Sequence, residues 1–249
     1  MGKVTKIILH LAALAVLGGG LMMVLHPNLL NKENAGQAPA AYGELQDIPS
    51  VEVANSPYYK KVDVYNLVSQ KDRIVLPRFR TRQQRTEFTC GPVAAMMVVD
   101  YYLGECHDGE LEIAKIMGTH TTKGTTISGM AKYFNHLGWD VVSSEGKKAP
   151  DNYEDFIAWV RQNLQKKTPI IVENVDWGGH YRVIIGYDGM GSDHQGDDVL
   201  MMADPYDTTD HTRDGYNIVS AERFFYMWFD HQLFEKSQQS RPYIIAKPK

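Results

Sequence analysis

The sequence predicts an α+β domain in which N-terminal helices pack on an antiparallel β-sheet. Two observations carry this. Between residues 90 and 165 apolar side chains recur at helical spacing. From residue 169 onward the period changes, and short runs rich in Ile, Val and aromatic residues alternate with Gly-rich turns. A third observation sets the scale. At 249 residues, 43% hydrophobic and 22% charged, the chain can build an ordinary globular core.

The first thirty residues read as an address. Lys3 and Lys6 precede an apolar run from Ile7 to Leu25. A basic start followed by such a run is the pattern of a signal peptide or signal-anchor helix, expected over residues 1–30. The run approaches the roughly 20 residues needed to span a bilayer core. The lysines before it place the N-terminus inside and the rest outside. The expectation is therefore an exported or membrane-anchored protein, with its domain on the extracytoplasmic side.

Residues 31–75 are expected to form a tether and lead-in. Their first part carries Gly, Pro and small residues without apolar periodicity. V-D-V-Y-N-L-V and R-I-V-L-P-R-F then suggest extended segments. The main domain is assigned to residues 76–249.

Within it, Gly91-Pro92 opens a nearly continuous apolar stretch reaching Tyr102. Proline suits a helix's first turn, and a helix apolar on most faces is a buried one. A second helix fits Glu110 to Met117. A third starts near Thr126 and is closed by Gly138. A fourth starts at Asp151 or Asn152 and presents Tyr153, Phe156, Ile157, Val160 and Leu164. P-I-I-V-E-N-V, H-Y-R-V-I-I-G-Y and D-V-L-M-M-A read as three strands. Ser220 opens a last helix carrying Phe224, Phe225, Trp228 and Phe229. P-Y-I-I-A-K closes the chain as a strand.

Charge and cysteine count exclude several classes. A net charge of −4 offers no global attraction to nucleic acid. Two cysteines cannot staple a scaffold or fill a four-cysteine zinc site. If residues 91–103 are helical, Cys90 and Cys106 lie some 20 Å apart, well beyond the ~7 Å a disulfide allows. Cys90 is expected to be a free thiol. Asp193, His194, Asp197, Asp198, Asp207, Asp210, His211 and Asp214 match no metal-loop spacing and read as solvated turns. No metal and no dissociable cofactor is expected.

Three residues stand out by position: Cys90 at the start of the buried helix, His180 at the start of a strand, and Asp204 at the end of the next. A helix N-terminus lowers a thiol pKa through its dipole and free N–H groups. A histidine alongside can hold the thiolate as an ion pair and protonate a leaving amine. A carboxylate on the far ring nitrogen fixes tautomer and orientation. The Cys90 N–H is one candidate oxyanion donor, and the side-chain amide of Gln83 or Gln84 a second. Trp177, Gly178 and Gly179 precede His180 and are candidates for substrate binding, since glycines let a substrate backbone approach closely.

Q-R-T-E-F-T-C-G-P-V-A-A-M-M, G-G-H-Y-R-V-I-I-G-Y-D and V-L-M-M-A-D-P-Y together resemble the bacteriocin-processing, double-glycine family of cysteine peptidases, in a stand-alone form. The resemblance spans roughly residues 80 to 246. It implies a papain-like fold, Cys90 as nucleophile, His180 as base and acid, Asp204 as orienter and Gln84 as oxyanion donor. Gln84 has the family's spacing of six before the cysteine. Thr89 stands where many members have Asp, and no fused exporter is present in the sequence.

The expected activity is hydrolysis of peptide or isopeptide bonds through a Cys90 thioester, acting on a peptide or protein. The membrane is expected to be contacted only through the N-terminal segment. Two other readings use the same cleft. One is a transamidase or phytochelatin-synthase-type transpeptidase with the same three residues. The other is an inactive peptide-binding module.

Overall fold

The structure is a computed structural model that describes residues 60–231 and 234–249. The expected signal segment, residues 1–30, and residues 31–59 of the tether lie outside the described residues. Among the described residues no helix is long and apolar enough to cross a membrane.

Seven strands form one sheet: β1 (Arg73–Val75), β2 (Asp140–Ser143), β3 (Ile170–Asn174), β4 (His180–Asp188), β5 (Val199–Ala203), β6 (Tyr216–Ser220) and β7 (Tyr243–Lys247). The order is β2-β7-β3-β4-β5-β6, with β1 also paired to β4, and every pairing is antiparallel. Among the described residues five α-helices accompany it: α1 (Cys90–Leu103), α2 (Glu110–Met117), α3 (Ile127–His136), α4 (Tyr153–Gln165) and α5 (Ala221–Met227).

Three of these helices, α3, α4 and α5, start at side-chain caps. Thr126 Oγ1 accepts from Gly129 N, Asn152 Oδ1 from Asp155 N and Ser220 Oγ from Arg223 N. Each side chain satisfies a first-turn N–H that has no partner within the helix. Gly118 ends α2 in the left-handed region.

The lead-in segment differs from the extended reading. Val64–Asn66 form one turn of 3-10 helix, with Asp63 accepting from Asn66 N, and only Val64 is buried. Its alternation reflects a single anchor residue rather than a strand. β1 follows and pairs with β4 through Arg73↔Asp188 and Val75↔Gly186. Residues 73–75, within the segment assigned to the lead-in, thus form part of the sheet.

β4 is the axis of the sheet. Its first half pairs with β3, from Asn174↔His180 to Ile170↔Ile184, and its far end pairs with β1. β5 runs along the other edge, with a register shift between Ile184 and Gly186. A Cβ on Gly186 would lie 2.7 Å from Met201 Sδ, so only glycine lets β5 approach at this irregularity.

α1 is buried from Cys90 to Asp100 and packs against β4. Asp100, a charge inside this helix, is compensated on both oxygens. Arg82 donates to them at 2.5 and 3.0 Å, and Cys106 N donates to Oδ1 at 2.6 Å. α4, α5 and β7 meet in an aromatic cluster of Phe156, Trp159, Phe224, Trp228 and Tyr243, with ring centroids 5.1 to 6.5 Å apart. Full burial of an aromatic such as Phe156 is worth about 1.5–3 kcal/mol. This cluster fixes the frame that holds β3 and β4.

Candidate active site

The start of β4, the end of β5 and the N-terminus of α1 converge at one end of the sheet. Cys90 is the first residue of α1, His180 the first of β4, and Asp204 follows the last residue of β5. All three are buried, at 7%, 3% and 0% exposure. His180 Nε2 lies 2.7 Å from Asp204 Oδ1. The Cys90 thiol and the His180 ring each shift the other's pKa, the imidazole charge favouring the thiolate and the thiolate favouring the imidazolium. With Nε2 engaged by a carboxylate, Nδ1 is the ring nitrogen left for sulfur, and Nε2 carries the proton given to Asp204.

The charges follow from this geometry. Burial alone would push the Cys90 thiol up, but the His180 hydrogen bond and charge outweigh it and hold the thiol below its ordinary value. N–H groups of Tyr181 and Gly91 act in the same direction. Burial would lower His180, yet Asp204 and the thiol raise it to about 9. Asp204 is penalised by burial but is held well below the carboxylate range by His180, Arg182 and the Tyr206 N–H. The arrangement favours a thiolate beside an imidazolium, oriented by a carboxylate.

Asp204 is itself anchored. Its Oδ1 accepts from Tyr206 N at 2.8 Å, and its Oδ2 accepts from Arg182 Nε at 2.7 Å. Arg182 Nη1 continues to Asp176 Oδ2 at 2.7 Å. Sequence reading missed Arg182 and Asp176. The signal was present: an arginine two residues after His180, on the same strand face, in a run otherwise fit for burial. Glu173 was missed too. It is buried one position before Asn174, the strand partner of His180, and neither carboxyl oxygen has a hydrogen bond of good geometry. Burial, then the charges of Asp230 and Cys90, push it up to about 10.

The two glutamines part company. Gln83 spends its amide on the loop behind Asp204: Nε2 donates to Asp204 O at 2.8 Å and Oε1 accepts from Asp207 N at 3.1 Å. Gln84 is buried, and its Nε2 donates one hydrogen to Thr86 O at 2.7 Å. Its backbone N–H donates to Pro205 O at 2.8 Å. Both residues therefore tie the irregular segment before α1 to the loop after β5.

Trp177, Gly178 and Gly179 form the turn from β3 into β4. All three have positive φ, at 53°, 88° and 146°. Glycine takes such values without penalty and tryptophan does not. Trp177 is 62% exposed and stands edge-on to His180, with ring centroids 5.2 Å apart. It also touches Tyr206, at 5.3 Å, and covers the Arg182 guanidinium at 5.7 Å. Cys106 is a free thiol, buried near Tyr133.

Among the described residues no group of three or more His, Cys, Asp or Glu is arranged as metal ligands. The acidic segments are knitted into turns instead. Ser192 Oγ donates to Asp197, and Asp207 accepts from Thr209 N and Gly215 N.

The model of the Peptidase C39-like family matches residues 62–230. The chain belongs to that family, and it is a cysteine peptidase. Similar solved structures are two peptidase domains and one larger protein. The peptidase domain of Streptococcus ComA, described as a bi-functional ABC transporter involved in quorum sensing, is 20% identical. It aligns over 69% of this chain and 99% of its own, with a TM-score of 0.48. The peptidase domain of Streptococcus mutans ComA is 18% identical over 68% of this chain and all of its own, with a TM-score of 0.39. UfSP from C. elegans is 11% identical over 75% of this chain and 36% of its own, with a TM-score of 0.45. No curated protein matches the chain.

Proposed function

We propose that Cys90, His180 and Asp204 form the catalytic triad of a peptidase that cleaves peptide or isopeptide bonds through a thioester. The observation that carries this is the buried His180–Asp204 pair, with Nε2 2.7 Å from Oδ1, set where its charge lowers the pKa of the equally buried Cys90 thiol at the start of α1. The Cys90 thiolate attacks the scissile carbonyl, and the carbonyl oxygen takes the negative charge. The Cys90 N–H, in the first turn of α1, and the second hydrogen of Gln84 Nε2 stabilise that oxyanion. The C–N bond breaks as His180 Nδ1 gives its proton to the leaving amine. Water then attacks the thioester, His180 removes its proton, and the thiol leaves with the acid released. Asp204 holds the ring in position throughout, and Arg182 holds Asp204.

The basic start and apolar run of residues 1–30 support a place outside the cytoplasmic membrane, facing peptides there.

The test is the rate of Cys90 alkylation by iodoacetamide against pH, beside cleavage of a mixed peptide library. Alkylation is expected well below the ordinary thiol value near 8.5, and His180→Ala removes that shift. Cys90→Ala is expected to abolish library cleavage. Cleavage in the wild type should be bell-shaped, its alkaline limb near the His180 value of about 9, where the imidazolium is lost. An ordinary thiol titration, unchanged by His180→Ala, would sink the triad and favour a peptide-binding cleft.

A further inference from the structure

Beyond Trp177 the structure opens into a cavity of about 600 Å³. Its near wall is Trp177 with Arg182, the residues that flank His180 and Asp204. Its far wall is Ile218, Val219, Phe224 and Met227, from β6 and α5. Asn217 borders it; its Nδ2 donates to Thr209 Oγ1 and its Oδ1 has no hydrogen-bond partner among the described residues. Ile218 is 40% exposed although it is a large apolar residue.

The chemistry of acyl transfer gives this cavity a direction. The proton released in thioester formation goes from His180 to the leaving amine, so that nitrogen must lie against His180. The oxyanion donors belong to α1 and to the segment before it, on the Cys90 side. The substrate chain that continues from the leaving nitrogen therefore passes His180, and the next surface there is the Trp177 ring. Trp177 is held in a left-handed backbone conformation unfavourable for an aromatic residue, offset by its contacts with His180, Tyr206 and Arg182. Its indole is thereby fixed between the catalytic imidazole and the cavity.

We infer that this cavity is the leaving-group subsite: it binds an apolar side chain on one of the first two residues after the scissile bond. The inference rests on the catalytic roles proposed above. The cavity's aromatic and aliphatic residues supply the apolar surface such a side chain requires, and Asp176, Arg182, Arg223 and five neutral polar residues complete the lining. Gly178 and Gly179, beside the indole, keep the path clear of side chains.

Because the acceptor that resolves a thioester retraces the path of the leaving amine, the site can be read without knowing the substrate. The full-length protein is given p-nitrophenyl acetate, which acylates Cys90 with release of nitrophenol. The acetyl group then partitions between water and an added dipeptide amide. Leu-Leu-amide, Gly-Gly-amide and Asp-Asp-amide are compared at equal concentration, with acetylated products counted by mass spectrometry. Leu-Leu-amide is expected to capture at least ten-fold more acetyl, relative to hydrolysis, than either competitor. Ile218→Glu and Met227→Gln should each bring that ratio toward parity. Nitrophenol release that requires Cys90 but shows equal capture of the three amides would overturn the subsite and leave the triad standing. Release at the same rate in Cys90→Ala would overturn the triad, and the subsite with it.

Discussion

Arg182 is the residue on which the polar side of the site turns. It is 4% exposed and bridges Asp204 and Asp176, each at 2.7 Å. Breaking a buried pair by removing one partner costs about 3–5 kcal/mol, because the remaining charge is left uncompensated. Arg182→Leu is therefore expected to lower Tm by roughly 6–20 °C, at about 2–4 °C per kcal/mol for a chain of this size. A second readout separates positioning from mere support. Loss of the guanidinium removes a positive charge next to the His180–Asp204 pair, so the imidazolium becomes easier to keep. The alkaline limb of the activity profile should move above its wild-type position, with partial restoration in Arg182→Lys. A limb that stays in place would show that Arg182 contributes packing alone. Thr89 answers a related question. Its hydroxyl donates to Glu110, so a carboxylate lies beside the N-terminus of α1. That is where a helix dipole favours negative charge.

At the scale of elements, the position of α1 decides where the thiol lies. A Cβ on Gly91 would meet Thr125 Oγ1 at 2.7 Å and Thr125 Cβ at 2.8 Å, closer than real contacts allow. Gly91→Ala must shift the first turn of α1 away from the Thr125 segment, and Cys90 moves with it. The expected cost is about 1–3 kcal/mol in urea unfolding, together with slower alkylation of Cys90 near neutral pH. Unchanged alkylation would show that the turn accommodates the methyl group without moving the thiol. The same scale explains what the sequence could reveal. β3, β4 and β5 are interior strands, buried almost throughout, so they appear as continuous apolar runs. α2, α3 and α4 appear because one face is buried and a capping signal precedes each or a left-handed glycine follows. β2 and β6 are edge strands and were not legible. Val142 is 44% exposed, and the buried position of β6 is the polar Asn217, which inverts the expected alternation. The site divides the same way. Cys90, His180 and Asp204 lie at element ends, which patterning locates. Arg182 and Glu173 lie inside strands, where only the three-dimensional pairing shows what a buried charge is set against.

For the whole molecule, the buried acids make stability depend on pH with a definite sign. Folding pushes Glu173 from 4.5 to about 10 and Asp207 from 3.8 to about 7, in both cases chiefly by burial. A carboxyl whose folded pKa is raised binds a proton that the unfolded chain has already lost. Stability then falls as pH rises between the unfolded and folded values. Cys90 and His180 act in opposite senses: the lowered thiol favours losing a proton on folding and the raised imidazole favours holding one. Asp204 acts in the opposite sense, but its contribution is lost only as pH falls below the ordinary carboxylate range. The surviving slope between pH 5 and 8 therefore comes mainly from Glu173, with Asp207 adding to it below about 7. One proton taken up on folding changes stability by at most about 1.4 kcal/mol per pH unit. Urea unfolding of the full-length protein is expected to be about 1–4 kcal/mol less favourable to the native state at pH 8 than at pH 5. Glu173→Gln keeps the neutral shape and removes the titration. It should gain stability over wild type at pH 8, by about 1–4 kcal/mol, and match it near pH 4, where the unfolded glutamic acid is itself protonated. Equal stabilities of the two proteins at pH 8 would mean that Glu173 stays ionised in the fold. In that case its negative charge would oppose the Cys90 thiolate, and Glu173→Gln would instead lower the pH at which Cys90 alkylates.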